Sequence, residues 1–216
     1  MNTVQGMGAI EDFGSYGVGF MPLSELSDEG LVRLIVDGDE ESFNELIRRY
    51  TGKIYNLAMR ITNNHNDAED VVQEVCISLY KKAHTFRHGS KFSTWLYRLV
   101  TNESITRIRQ NNRYRTESLD NYMPTFDEEG QHRERPVADW SQDVENKVAE
   151  KELHAILEKA LNLLSPLDRS VVVLSEVEEL TNPEICEVTG LTLQAVKGRL
   201  HRTRLVLRGM LEEIIA

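Results

Sequence analysis

The sequence is short of several things at once, and each shortage excludes a class of protein. Cysteine occurs only as Cys76 and Cys186 in 216 residues, which rules out a disulfide framework and predicts reduced, packed thiols. The longest plain apolar run is Val171 to Leu174, far below the roughly 18 residues that a spanning helix requires. No basic residue precedes Arg33, so no charged segment stands ahead of an apolar one and no secretory leader is expected. These shortages point to the cytoplasm and to no membrane insertion. HExxH, CxxC, P-loop and GxSxG patterns are all missing, and the histidines are dispersed, with only His84 and His88 at a helical spacing in an expected loop. Neither catalysis nor a metal or other cofactor is therefore expected. Whatever the chain does, it does by binding.

Hydrophobic residues make up 40% and charged residues 28% of the chain, enough to build a core and too balanced for wholesale disorder. The formal charge of -10 argues against nucleic acid if taken as a sum, but its distribution says otherwise. Between residues 84 and 115 stand Arg87, Lys91, Arg98, Arg107, Arg109, Arg113 and Arg115 against Glu103 alone. Between 191 and 211 stand Lys197, Arg199, Arg202, Arg204 and Arg208 with no acid. The acids gather instead in residues 11 to 45 and 116 to 152. Two basic stripes on an acidic protein predict at least two different partner surfaces.

Periodicity is helical throughout and no strand-like alternation survives, so the fold class is all-α. Residues 1–24 hold five glycines and little pattern, and read as a flexible extension. Ser27 caps a first short helix; a second follows Gly38 with Phe43, Leu46, Ile47, Tyr50, Ile54, Leu57, Ala58 and Ile61 on one stripe. Asn63 to Asn66 break it, and a third helix is expected from about Asp67. After the loop from His84 to Ser90, a fourth runs from about Ser93 to Gln110. Pro124, Gly130 and Pro136 mark an aperiodic linker. A second domain follows, with a stripe from Val144 to Leu164, a helix from Pro166 to about Val177, and two more from about Pro183 to Thr189 and from Leu193 onward. The expected boundaries are 1–24 extension, 25–113 first domain, 114–142 linker and 143–216 second domain.

Three constellations carry the chemistry. Thr181 or Asn182, Pro183 and Glu184 open a helix, Gly190 supplies a left-handed turn and Thr192 caps the next helix, which together describe a helix-turn-helix. Its second helix would offer Gln194 and Lys197 to base edges, with His201 beside them and Arg199, Arg202 and Arg204 gripping phosphates. In the fourth helix Arg98, Asn102 and Arg109 fall on one edge. Beside them Phe86, Arg87 and Lys91 mix a ring with cations, as an unstacked single strand requires. In the third helix Asp70, Gln73 and Glu74 lie opposite Ala68, Val72 and Val75, leaving a polar ridge for a basic partner or, more plainly, acids that complement a helix N-terminus. The helix-turn-helix by itself would also serve an autonomous regulator on duplex operator DNA, which would bind tightly without help.

The order Asp67-Ala68-Glu69-Asp70-Val71-Val72-Gln73-Glu74, Phe92-Ser93-Thr94-Trp95-Leu96-Tyr97-Arg98, Asn102, Leu164 to Asp168, Glu184-Ile185 and Val196-Lys197-Gly198-Arg199-Leu200 resembles an extracytoplasmic-function (ECF) sigma factor over about residues 25 to 213. The resemblance implies sigma region 2 and a helix-turn-helix region 4 joined by a flexible acidic linker. It implies a protein that binds core RNA polymerase, directs it to promoters and helps open them. Asp70, Gln73 and Glu74 would dock on the clamp helices of the largest polymerase subunit. The 85–91 loop with Arg98 and Asn102 would capture the non-template strand, and Lys197, Arg199 and Arg202 would read the upstream duplex. An anti-sigma factor is a further expected partner. Thr106 stands where the family commonly has aspartate, and Cys186 where it usually has alanine.

Overall fold

The computed structural model describes residues 22–87, 89–111 and 159–215, with side chains to Gly209. Helix α1 spans Asp28–Val36 and begins where the Ser27 hydroxyl accepts the Gly30 N–H at 3.1 Å. Helix α2, Glu40–Thr62, is capped by the Asp39 carboxylate on the Ser42 N–H at 2.8 Å and ends in left-handed Asn63, φ 49°. Its stripe of Leu46, Ile54, Leu57 and Ile61 is fully buried, each side chain contributing roughly 1.5–3 kcal/mol of transfer free energy. Helix α3 spans His65–Lys82. It starts two residues earlier than the hydrophobic pattern predicts, because Asn64 Oδ1 accepts the Asp67 N–H at 3.0 Å and fixes the first turn upstream of Asp67. Helix α4, Phe92–Gln110, completes a bundle in which α1, α3 and α4 all pack on α2.

The expected flexible extension is overturned at its last residues. Leu23–Glu25 form a 3-10 turn, and Arg49 of α2 holds the segment by donating to the carbonyls of Leu23 at 2.8 Å, Ser24 at 2.9 Å and Leu26 at 2.8 Å. A guanidinium has five donors in a fixed fork, so one side chain can tie down three carbonyls that would otherwise need water. The remainder of the extension and the expected linker lie outside the described residues.

In the C-terminal half, residues 159–163 are helical and lead into α5, Pro166–Glu176, with Ser165 capping the Asp168 N–H at 3.0 Å. Helix α6, Asn182–Thr189, opens on a reciprocal capping box between Thr181 and Glu184 and closes on Gly190 at φ 73°, a conformation that costs glycine nothing. Helix α7, Leu193–Ile215, follows after the Thr192 hydroxyl accepts the Ala195 N–H at 3.3 Å. Helices α6 and α7 form the expected helix-turn-helix, with Ile185, Val188, Val196 and Leu200 buried between them and α5. Every described element is a helix or 3-10 turn.

The two halves are not separate bodies. Helix α5 packs on α2, and α6 on α4, so that Leu46, Phe92 and Leu96 of the first half share one apolar cluster with Val171, Leu174 and Ile185 of the second. Arg169 of α5, 7% exposed, donates to the Leu161 carbonyl at 2.8 Å and across the junction to the Ile61 carbonyl at 3.0 Å. A buried cation is tolerated only when its donors are satisfied in this way.

Candidate polymerase and nucleic-acid interfaces

The α3 ridge is built by helical phase. Ala68, Val71, Val75 and Leu79 are buried inward, which forces Gln73 and Glu74 out into solvent. Asp70, half-exposed, pairs with Arg107 of α4. Buried Asp67 accepts a bond from Asn111 Nδ2 at 2.7 Å. Arg107 therefore belongs to the junction between α3 and α4, not to the open basic stripe. Glu103 of α4 faces the same ridge: burial and then the nearby Glu74 carboxylate push its pKa up. Further along the ridge Ile77 and Tyr80 are 45% and 55% exposed, with Tyr80 edge-on to Phe43 at 5.5 Å. Acids followed by exposed apolar side chains suit a protein partner better than a helix-dipole role, which would confine them to the first turn. The two apolar residues were missed in the sequence, although their spacing from Gln73 at four and seven positions is visible there.

On the opposite edge of α4, Arg98, Asn102 and Arg109 are all exposed and form the expected line. The Thr106 hydroxyl turns back to the Asn102 carbonyl at 2.8 Å, so this position adds no charge. In the preceding loop Arg87 and Lys91 are exposed, while His88 lies outside the described residues. Phe86 departs from expectation. Its ring is 6% exposed and lies against Phe92 at 5.7 Å and Trp95 at 5.9 Å, with Phe92 in turn against Tyr50 at 5.2 Å. Packing among four rings, edge-to-face at Phe86–Phe92 and Tyr50–Phe92 and tilted at Trp95, leaves Phe86 no open face for a base; it anchors the cationic loop instead. Half-buried Trp95 belongs to the same cluster.

On α7, Gln194, Lys197, His201 and Arg202 are exposed, at the N-terminal part of the helix that enters a groove in this motif. Arg199 and Arg204 behave differently from the expected free phosphate grips. Arg199 donates to the Asp168 carboxylate at 2.5 Å, whose other oxygen accepts the Ser165 hydroxyl at 2.5 Å. Arg204 donates to Glu176 at 2.6 Å and holds that carboxyl below its ordinary pKa. Both bonds join α7 to α5. Cys76 and Cys186 are free thiols, half-buried, and burial raises the Cys76 pKa. Among the described residues no three histidines, cysteines or carboxylates gather in a metal-binding group, and no helix is long and apolar enough to cross a membrane.

Comparison with known proteins finds two matched stretches of the chain. A family model described as Sigma-70 region 2 matches residues 46–114, and one described as Sigma-70, region 4 matches residues 154–207. The ECF RNA polymerase sigma factor SigW of Bacillus subtilis is 33% identical over 185 residues, covering 85% of this chain and 96% of that protein. SigE of Mycolicibacterium smegmatis, also named an ECF RNA polymerase sigma factor, is 33% identical over 192 residues, covering 87% of this chain and 70% of that one. Among solved structures, CnrH in complex with the cytosolic domain of CnrY has the same fold at 24% identity and a TM-score of 0.59, covering 86% of this chain and 97% of that chain. The sigma factor RpoE in complex with the anti-sigma factor NepR, from Bartonella quintana, aligns at 21% identity and a TM-score of 0.55, covering 80% of this chain and 98% of that one.

Proposed function

The chain belongs to the ECF sigma factors of the sigma-70 family, and on that premise we propose how its surfaces divide the labour of a factor that binds core RNA polymerase, directs it to promoters and assists strand opening. The α3 ridge of Asp70, Gln73 and Glu74, extended by Ile77 and Tyr80, docks on the clamp helices of the largest polymerase subunit. Arg87, Lys91, Arg98, Asn102 and Arg109 hold the non-template strand. Gln194, Lys197, His201 and Arg202 face the upstream duplex, while Arg199 and Arg204 position the helix that carries them. Residues 25–113 act as the polymerase-binding and melting domain, 143–216 as the duplex reader and 114–142 as the tether.

The observation that carries this reading is the placement of opposite chemistries on two helices of one bundle, an acidic and apolar face on α3 and a cationic edge on α4. Opening a promoter requires no covalent step from the factor: binding flipped bases offsets unstacking, which costs a few kcal/mol per base, and the polymerase supplies the chemistry. The net charge of -10 opposes encounter with DNA by the chain alone, so specificity is expressed only in the holoenzyme. The polymerase is cytoplasmic, and so on this reading is the chain. An anti-sigma protein is a partner of the same kind as the NepR seen with RpoE.

Glu74→Arg, at an exposed position, tests the ridge. Co-elution with core polymerase should fall at least about tenfold while the helical circular dichroism is unchanged; undiminished co-elution removes the ridge from the interface. Tight duplex binding by the chain alone, as a dimer, would favour an autonomous regulator instead.

A further inference from the structure

Glycine is a poor resident of a helix interior, because it gives up more backbone freedom on folding than any other residue and has no side chain to pack. Where the fold needs it, the need is visible: Gly38 and Gly190 stand at φ 94° and 73°, a region that favours glycine. Gly198 shows no such need. It lies inside α7, and it is absent from the glycines of positive φ. A Cβ added to it would meet no heavy atom within 4 Å beyond its own stretch of backbone. Neither the conformation of the chain nor its packing therefore asks for glycine here, and alanine would make a better helix.

The surroundings of Gly198 point outward. On the helix surface, residues three and four apart are neighbours, so Gln194 stands one turn before it, His201 and Arg202 one turn after, and Lys197 beside it. All four are exposed, as Gly198 is, and all four belong to the face assigned to the upstream duplex. They enclose a bare Cα, which leaves a notch within the reading face.

We infer that Gly198 is a specificity-determining residue that acts by what it lacks: a base-pair edge in the major groove approaches the α7 backbone at this point more closely than any side chain would permit. The inference rests on the sigma-factor reading and deepens it. Inside a helix the backbone N–H and C=O groups are already bonded to one another, so the notch offers shape and no hydrogen bond. The group it suits is apolar, and the apolar group that a major groove presents is the C5 methyl of thymine. Close approach at Gly198 also brings the flanking Gln194 and Lys197 within reach of neighbouring base edges, where a longer side chain at 198 would hold them off.

The test uses the full chain with core polymerase, and Gly52 is its control. Gly52 is likewise exposed, inside α2 and open to a Cβ, on a face with no assigned partner. Gly52→Ala and Gly198→Ala should each raise the melting temperature by about 1–4 °C, and each should co-elute with core polymerase as the wild type does. Transcription from a promoter that the wild-type holoenzyme serves should fall at least about fivefold in Gly198→Ala, as for a mismatched base pair, and be unchanged in Gly52→Ala. Gly198→Leu, a good helix former with a larger side chain, should lose more. Thymines of the upstream element are then replaced one at a time by deoxyuridine, which lacks only the methyl group. At one position the replacement should weaken wild-type transcription and partly restore that of Gly198→Ala, because the DNA gives up the space that the new Cβ takes.

Full transcription by Gly198→Ala, or equal losses in the two alanine variants, overturns the close approach. A lowered melting temperature in Gly198→Ala assigns the glycine to the fold and overturns it as well. Loss of transcription that no deoxyuridine restores overturns the thymine methyl as the occupant. A wild-type chain that supports no promoter-dependent transcription with core polymerase counts against the sigma-factor reading itself, whatever the melting temperatures.

Discussion

Helices α4 and α7 both read as cationic in the sequence, yet the folded chain spends their charges differently. Arg98 and Arg109 of α4 stand in solvent, while Arg199 and Arg204 of α7 are bound to Asp168 and Glu176 of α5. Arg107, between the two exposed α4 arginines, is turned inward to Asp70. A count of basic residues therefore overstates the charge available to DNA. On α4 the helical phase alone separates the inward arginine from the outward ones. On α7 it does not: Arg204 is exposed yet meets an acid of α5, as Arg199 does.

That contrast predicts that equivalent truncations have unlike consequences. The largest effect should come from Arg98→Ala combined with Asn102→Ala. Open-complex formation with core polymerase, followed by permanganate reactivity, should drop at least about tenfold, in line with the roughly 1–3 kcal/mol of a good polar contact to a base. The melting temperature should stay where it is; a loss of several degrees would show that α4 too spends its edge on the fold.

Arg199→Ala should instead lower stability by about 1 kcal/mol, a modest figure because the pair is partly exposed, and shift the melting temperature by roughly 2–4 °C. An unmoved melting temperature accompanied by weakened promoter binding would restore Arg199 to the phosphate-gripping role. Lys197→Ala, by comparison, should leave melting untouched and relax preference at particular base pairs in a promoter-selection experiment.

The smallest effect concerns pH. The Arg204 bond holds the Glu176 pKa below its ordinary value of 4.5, so the pair contributes stability above that value and loses it as pH falls through the lowered one. Glu176→Gln should accordingly narrow the gap between variant and wild-type melting temperatures as pH is lowered below about 4.5. A gap that stays constant through that range would mean that the carboxylate gains nothing from Arg204.

Much of the molecule was legible in the chain. The apolar stripes of α2 and α3, the caps at Ser27, Thr181 and Thr192 and the turn at Gly190 are local, because helix periodicity and capping are decided within about four residues. The exposed positions on α3, α4 and α7 follow from the same phase. Phe86 was not legible: a ring in a cationic loop suits a stacked base, and only the approach of Phe92 and Trp95 shows it to be buried. The ion pairs of Arg199 and Arg204 were hidden because their acids lie 31 and 28 residues away, beyond any local pattern. The start of α3 was missed because an asparagine cap was weighed as a helix breaker.

The sequence by itself determined an all-helical chain, its family, the helix-turn-helix and which edge of each helix can face a partner, since all of these depend on short-range spacing and on residue types in order. Only the tertiary structure decided which charges remain available and that the two halves lie against each other. Ion pairs and apolar contacts between distant segments depend on where the segments come to rest, and an aperiodic linker of many residues leaves that distance open until packing fixes it.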